Sequence, residues 1–138
     1  METGLLPPIV NADSEQYWAG AREGRLMVRR CCSCQKTHFL PRYLCPACWS
    51  TELEWLECAG MGTVHSFTII RRASVPEYNE RVPYVVALID LAEGPRLMAN
   101  IVGPDALQTA LGDEVVVEFE QRGAGAKVPQ FRRRASQA

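Results

Sequence analysis

Apolar and polar side chains alternate through the second half of the chain, and this spacing predicts strands rather than helices. The pattern occupies five segments: 63–72, 83–91, 96–102, 114–120 and 128–131. Residues 104–111 interrupt it with one or two predicted helical turns, and a Gly-rich turn at 123–126 joins the last two strands. Three strands, a short helix and two further strands form the chain order of an OB-fold barrel.

Three of these segments predict which side chains are buried. The run at 83–91 is almost entirely apolar, which predicts a strand that is covered on both sides. The strand at 63–72 has two predicted faces, one with Val64, Ser66, Thr68 and Ile70, and the other with His65, Phe67 and Ile69. The strand at 114–120 is predicted to bury Val115, Val117 and Phe119.

A short helix is predicted near the N-terminus, after an unstructured, proline-containing arm at 1–12. Asp13 is the expected cap, with Gln16 completing a capping box, and the helix ends near Gly24. Gly20 and Gly24 lower its intrinsic stability by about 1 kcal/mol each relative to alanine. Its apolar stripe consists of Tyr17, Trp18 and Ala21. A helix this weak needs a surface to pack on, either its own body or another subunit, and we expect it to dock on another subunit.

Four cysteines in two pairs, Cys31 with Cys34 and Cys45 with Cys48, form the most informative motif. Each pair places two thiols on one tight turn, and four thiolates suit a tetrahedral Zn2+ with Zn–S distances of about 2.3 Å. We therefore predict a structural zinc ribbon, to which two disulfides or a set of buried thiols are the alternatives. A closed shell of four thiolates leaves no open position for catalysis.

The remaining cysteines and one histidine have simpler predicted roles. Cys32 is too close to Cys31 to share the metal and is interpreted as a bystander thiol, whereas Cys58 is interpreted as a small core residue. His38 is expected to be an exposed loop residue, because four thiolates already complete the metal shell.

The whole pattern predicts a mainly β protein. Its predicted parts are an N-terminal arm and helix at 1–25, a rubredoxin-like zinc ribbon at 26–58, a five-stranded OB-fold barrel at 59–132 and a basic tail at 133–138. We expect a cytoplasmic protein without a membrane span. The first residues resemble no secretory signal, no apolar run approaches the ~20 residues that cross a bilayer, and the cysteines suit a metal.

The net charge is only −1, but the charges are segregated along the chain. Residues 21–48 carry six Lys or Arg and one acid, while residues 76–120 carry two basic residues and nine acids. The last eighteen residues carry five basic residues, including the run at 132–134, and no acid. Such an asymmetry attracts an anionic ligand or partner, although we expect the C-terminal run itself to be a solvated, frayed tail.

The sequence offers no recognisable catalytic set, such as a serine with histidine and acid partners, paired carboxylates or a zinc-protease motif. His65 is a candidate general base, but a histidine on a strand is more simply a packed or surface residue. We therefore expect a protein that is not itself an enzyme.

The order of the motifs resembles a known family. Cys-x2-Cys, Pro-Arg and Cys-Pro-x-Cys are followed by Gly-x-Gly-Thr-Val-x-Ser-Phe-Thr, Pro-Tyr-Val-Val-Ala-Leu, Gly-Asp-x-Val and Phe-Arg. The matching positions are Cys31, Cys34, Pro41, Arg42, Cys45, Pro46, Cys48, Gly60, 62–64, 66–68, 83–88, Gly112, Asp113, Val115, Phe131 and Arg132. Over residues 14–132 the chain is similar to the DUF-thirty-five type family, which joins a rubredoxin-like zinc ribbon to an OB-fold. Its departures are Cys32 and Gln35, which stands where the family often has glycine, and neither removes a ligand.

The resemblance implies an accessory role. Members of the family are partners of thiolase-superfamily enzymes, including acyltransferases and sterol side-chain aldolases, and others are joined to hot-dog-fold enoyl-CoA hydratases. By this resemblance the chain is expected to be a non-catalytic subunit, in a homodimer or hetero-oligomer, that holds such an enzyme. It is also expected to help recognise acyl-CoA in lipid or steroid metabolism, while the partner supplies the chemistry.

A CoA contact on this chain would need arginine forks for the phosphates beside an apolar shelf for the adenine ring. The arginines expected near the junction of ribbon and barrel are Arg29, Arg30, Arg42, Arg71 and Arg72, and the expected shelf is Phe39 and Trp55. The alternative is that these arginines pair with the acidic barrel.

Single-stranded nucleic-acid binding is the alternative function. An OB-fold would bind a strand through a basic track with stacking aromatics, for which the barrel offers Phe67, Tyr78, Tyr84 and Phe119. The sequence pI of about 6.1 argues against this function, because nucleic-acid-binding domains are expected near pI 9 or above.

Overall fold

The structure, a computed structural model, describes residues 6–123 and 125–134, and within them it contains one α-helix and eight strands. The helix is α1 (Glu15–Arg22), and the ribbon strands are β1 (Met27–Cys31), β2 (Thr37–His38) and β3 (Leu53–Glu57). The barrel strands are β4 (Met61–Ile70), β5 (Tyr84–Leu91), β6 (Arg96–Val102), β7 (Glu114–Gln121) and β8 (Lys127–Arg133). No helix in the described ranges is long and apolar enough to cross a bilayer.

The strands form a small ribbon sheet and a closed barrel, which confirms the predicted fold class. The ribbon sheet has the order β2-β1-β3, and the barrel has the order β4-β5-β6-β8-β7. Among the strands of the described ranges, only β6 and β8 pair in parallel, with Ile101 opposite Phe131. The predicted helical turns at 104–111 are a single 3-10 turn at Ala106–Gln108. The barrel closes through short pairings, since β4 pairs with β7 only at 61–63 and β6 pairs with β8 only at 101–102.

One core unites the ribbon with the barrel. Leu26 and Val28 of the ribbon segment are fully buried and belong to the same apolar cluster as Ile89, Val115 and Phe131 of the barrel. Val117 and Phe119 pack against that cluster, so the predicted inward face of β7 is confirmed.

The predicted faces of β4 are wrong because the strand contains a β-bulge. The register shifts between Val64 and Ser66, so that His65 is the extra residue and the two-residue alternation reverses after it. Val64 is therefore buried, and Phe67 and Ile69, predicted to lie on the other face, pack against the same core. A bulge adds one residue without changing the apolar character of the segment, so the alternation alone does not locate it.

The predicted docking of α1 on another subunit is also wrong for the buried part of its stripe. Tyr17 and Ala21 are 6% and 1% exposed, because α1 packs on β1 and β8 of its own chain. The Tyr17 ring makes edge-on contacts with the rings of Trp18 and Phe39, at centroid distances of 4.7 and 5.5 Å. Gly20 permits this close packing, since a Cβ there would lie 2.7 Å from Cγ of Met27.

The predicted capping box at the start of α1 does not form. The N-cap residue is Ser14 rather than Asp13, and its side chain does not cap the helix. Its hydroxyl instead accepts a hydrogen bond from the Asn11 backbone N–H at 3.1 Å, while the Ser14 N–H donates to Asn11 Oδ1 at 2.9 Å. Packing of the buried face, not a cap, therefore stabilises this short helix.

The C-terminal arginines belong to the barrel, which corrects the expectation of a solvated, frayed tail for residues 132–134. Arg132 and Arg133 lie in β8. Arg132 lies 3.6 Å from Glu118, Arg133 2.8 Å from Asp113 and 3.2 Å from Asp105, and Arg134 3.5 Å from Glu114. These ion pairs neutralise part of the acidic barrel surface. Residues 135–138 of the predicted tail lie outside the described residues.

Replacing Tyr17 with alanine should lower the free energy of unfolding by about 3–5 kcal/mol, because it opens a cavity between α1, the ribbon and the barrel. The matched control is Gln16→Ala on the exposed face of the same helix, with an expected change below about 0.5 kcal/mol. Urea unfolding followed by tryptophan fluorescence measures both. Equally small effects would mean that α1 contributes nothing to the stability of the barrel.

Candidate functional site

The two cysteine pairs come together at the tip of the ribbon. Sulphur atoms of Cys31, Cys34, Cys45 and Cys48 all lie within 4.8 Å of one another. The Sγ atoms of Cys31 and Cys48 are 3.5 Å apart, and those of Cys34 and Cys45 are 3.7 Å apart. Four sulphurs around one tetrahedral zinc are separated by about 3.8 Å, given Zn–S distances of about 2.3 Å. The thiol geometry therefore fits a single zinc ion.

Each pair is shaped by a tight turn whose last residue has a positive φ. The Gln35 N–H donates to the Cys31 carbonyl at 2.9 Å, and the Trp49 N–H donates to the Cys45 carbonyl at 2.8 Å. Gln35 and Trp49 have φ of 69° and 66°, a conformation that costs a non-glycine residue roughly 1–2 kcal/mol. The Gln35 side chain offsets part of this cost, because it hydrogen-bonds to Arg30 and to the Cys32 carbonyl.

Backbone N–H groups favour the thiolate form of one cysteine in each pair. The Cys34 N–H approaches Sγ of Cys31 at 3.4 Å and is the largest cause that lowers the pKa of Cys31 to about 6. The pKa of Cys45 is lowered, first by the Cys48 N–H and also by that of Ala47. Thiolates are the form that binds a metal.

The other two cysteines lie outside the cluster, as predicted. Cys32 is exposed, and desolvation followed by the charge of Glu54 raises its pKa. Cys58 is buried in the core, and burial, together with Glu93, raises its pKa to about 12.

The prediction that His38 is an exposed loop residue is wrong. His38 lies in β2 opposite Arg29, and both ring nitrogens are buried without a hydrogen-bond partner among the described residues. Burial lowers its pKa, and the charges of Arg29 and Arg42 lower it further. His65, the candidate base, is partly exposed on the β4 bulge, with Nδ1 3.7 Å from an Asp90 carboxylate that already pairs with Arg96 at 2.6 Å.

A groove of about 710 Å³ lies beside the ribbon, on the outer face of the barrel. We call it the OB-face groove. It lies between the N-terminal arm, α1, the ribbon segment 39–42, and β5 and β6. Its walls include Ile9, Trp18, Phe39, Tyr78, Tyr84 and Met98. The prediction that strand 83–91 is covered on both sides is wrong for its outer side. Outward side chains of β5 line the open surface of this groove.

The five arginines expected to contact CoA do not share one environment. Arg29 packs over the Trp55 ring at 4.5 Å, and Arg30 hydrogen-bonds to Gln35 and lies 3.8 Å from Glu54. Arg42 is exposed; it lines the OB-face groove and also a smaller pocket with Arg29 and Trp55.

Arg71 and Arg72, by contrast, follow the end of β4 and line neither the groove nor the small pocket. Of the residues predicted to contact CoA, Phe39 and Arg42 both line the groove. Arg29, Arg42 and Trp55 line the small pocket.

Two known families match consecutive parts of the chain. The family described as "ChsH2, rubredoxin-like zinc ribbon domain" matches residues 18–54. The family described as "ChsH2, C-terminal OB-fold domain" matches residues 55–120. The boundary between the two falls within β3, the strand that leads from the ribbon to the barrel.

Two named relatives align with two thirds or more of the chain. The chain is 34% identical over 127 residues to the "Probable enoyl-CoA hydratase alpha subunit" of Thermomonospora curvata, covering 91% of this chain and 39% of that protein. It is 36% identical over 93 residues to the "DUF35 domain-containing scaffold protein" of Methanothermobacter thermautotrophicus, covering 67% of this chain and 69% of that protein. The chain thus spans less than half the length of the hydratase subunit.

A solved structure described as "Ltp2-ChsH2(DUF35) aldolase" has the same fold. Its matching chain superposes with a TM-score of 0.80 at 32% identity, covering 91% of this chain and 98% of that chain. None of these comparisons supports the nucleic-acid alternative.

Replacing Cys45 with serine should remove most of the bound zinc from protein purified under reducing conditions, because three thiolates leave the tetrahedral shell incomplete. Cys32→Ser, which changes a thiol next to the cluster, should keep about one zinc per chain. Elemental analysis by mass spectrometry measures the content. Equal zinc contents in the two variants would contradict the four-cysteine ligand set.

Proposed function

Because this chain belongs to the DUF35 family, which joins a rubredoxin-like zinc ribbon to an OB-fold, we propose that it is a non-catalytic accessory subunit. It holds a thiolase-superfamily or hydratase partner and helps to recognise the acyl-CoA substrate of that partner. The observation that carries the proposal is the likeness, over 91% of this chain, to the chain of a structure described as an Ltp2-ChsH2(DUF35) aldolase. The relatives described as a scaffold protein and as a hydratase subunit also support it.

Zinc at Cys31, Cys34, Cys45 and Cys48 is structural in this proposal. Four thiolates complete the coordination shell and leave no position for a substrate. The ion would supply a cross-link that a module of this size cannot replace with its own apolar core. What the residues do is hold β1 in place, so that Leu26 and Val28 reach the core of the barrel.

Arg42 is the proposed CoA contact with the strongest support among the five arginines. It is exposed, it makes no ion pair within the described residues, and it lines both the OB-face groove and the pocket with Arg29. A guanidinium in this position can form a bidentate pair of hydrogen bonds with a phosphate. Arg71 and Arg72 also lack ion pairs in the described part of the chain. We keep them in the proposal as a second contact for the phosphates of CoA.

The accessory role predicts a stable complex. Affinity-tagged chain expressed in its native host should retain an acyl-CoA-processing enzyme through washes at high salt, because a permanent interface is largely apolar. The Cys45→Ser variant should retain less of the enzyme if the ribbon takes part in the interface or supports it. Mass spectrometry of the retained proteins measures the result, and recovery of the chain without any such enzyme would refute the proposal.

The CoA contact predicts a kinetic effect on the partner. Arg42→Glu should raise the KM of the complex for its acyl-CoA by about tenfold, because a charge-assisted hydrogen bond is replaced by repulsion. Lys36→Glu, which gives the same net charge on the exposed surface of the ribbon, should leave KM unchanged. The double variant Arg71→Glu, Arg72→Glu tests the second contact. An unchanged KM in all of these variants, with the complex intact, would mean that CoA binds wholly to the partner.

A further inference from the structure

We propose that the OB-face groove binds the apolar acyl group of the acyl-CoA, with the anionic part of the molecule at the Arg42 end. This inference rests on the proposed function and adds to it a site for the acyl group. In OB-folds generally, oligonucleotides and oligosaccharides bind to the face of the second and third strands, between the loops that follow the first and fourth strands. In this chain those strands are β5 and β6, and their outer face forms the floor of the groove.

The size and walls of the groove suit an apolar ligand. Its volume of about 710 Å³ lies within the roughly 300–1,000 Å³ of small-molecule sites. The arm contributes Ile9, α1 contributes Trp18, and the ribbon contributes Phe39 and Leu40. Met98, on the floor, is 66% exposed. Apolar side chains from four separate elements therefore converge on one groove.

The apolar floor results from the alternation of side chains in β5 and β6. Val85, Ala87 and Ile89 point into the barrel and are buried. The side chains between them point outward, so that Val86 pairs across the sheet with Asn100 and Leu88 pairs with Met98. Beside this floor β6 pairs with β8 only at 101–102, and the Asn100 N–H already donates to Gln130 Oε1 at 2.9 Å. We therefore expect binding at this face to depend on side chains.

The polar groups on the floor are already hydrogen-bonded within the protein. Gln130 Nε2 donates to Asn100 Oδ1 at 3.1 Å, and Asn100 Nδ2 donates to the Val85 carbonyl at 2.9 Å. The Arg122 guanidinium donates to Glu120 at 2.8 Å. These groups therefore do not require a polar ligand, and the surface left for contact is the apolar one.

One end of the groove offers an unpaired guanidinium to an anion. Arg42 lines the groove and makes no ion pair within the described residues. In the adjoining pocket Arg42 and Arg29 are matched by two acids, Asp13 and Glu15, so the charges there balance. The attraction for an anion therefore depends on the Arg42 guanidinium itself, which can form a bidentate hydrogen bond with a phosphate. A ligand with an apolar body and an anionic end, such as an acyl-CoA, fits both the apolar walls and this guanidinium.

The test is calorimetric titration of the full chain with CoA and with hexanoyl-, octanoyl- and decanoyl-CoA. Binding to the wild type should tighten with chain length, by up to about fourfold for each buried CH2. Met98→Glu should weaken decanoyl-CoA binding by about tenfold or more, because it places a charge against the acyl chain, and should leave CoA binding unchanged. Leu111→Glu is the matched control, since Leu111 is 69% exposed and does not line the groove.

Two results would overturn the proposal. One is an affinity that does not depend on acyl length, and the other is equal affinity for decanoyl-CoA in Met98→Glu and Leu111→Glu. Affinity capture of the enzyme partner with the same variants distinguishes a failure of the acyl-binding groove from a failure of the accessory function. If Met98→Glu loses the partner while its decanoyl-CoA affinity is unchanged, the groove is a protein-docking surface and the acyl proposal is wrong. If even the wild-type chain captures no enzyme, the accessory function itself fails, whatever the titrations show.

Discussion

The convergence of the two cysteine pairs on one site, where a single metal would join them, is the constraint on which the rest of the structure depends. The ribbon buries few apolar side chains of its own, and both turns carry a residue with positive φ, at Gln35 and Trp49. A metal held by the four thiols would offset the conformational entropy lost when these turns form. Segment 39–42, which forms one wall of the OB-face groove, lies between Cys34 and Cys45. The same cross-link that closes the ribbon would therefore hold that wall in position.

A second set of contacts fixes the ribbon against the barrel. The turn between β5 and β6 carries Glu93, whose Oε2 accepts the Ala59 N–H at 2.9 Å and whose carbonyl accepts the Thr37 hydroxyl at 3.1 Å. Thr37 lies in β2, and Ala59 lies in the short connection to the barrel. The turn that joins the two floor strands of the groove is thus bonded to the module that supplies its wall. Floor and wall are parts of one packed unit, so their relative position does not depend on a ligand.

The sequence predicted those features that a local pattern determines. Cysteine spacing located the ribbon, and the alternation of apolar residues located every barrel strand. Prediction from the sequence failed where a single extra residue or a distant packing partner determines which side chains are buried. The bulge at His65 reverses the faces of β4 without any change in composition. The apolar stripe on α1 indicated that one face of the helix is buried, but it did not identify the surface that buries it. That surface includes β8, more than a hundred residues away in sequence. The groove was missed because an apolar run looks the same whether its outer side is covered or open.

The charge segregation in the sequence has a structural explanation that bears on ligand choice. The basic C-terminal run lies beside the acids of the barrel: Arg132 and Arg134 pair with Glu118 and Glu114. Glu120 is held by Arg81 and Arg122, whose hydrogen bonds lower its pKa although burial alone would raise it. Much of the positive charge is thereby neutralised within the barrel, which removes the basic track that a nucleic acid needs. Among the described arginines that line the groove, Arg42 makes no ion pair, so its guanidinium remains available to an anionic group.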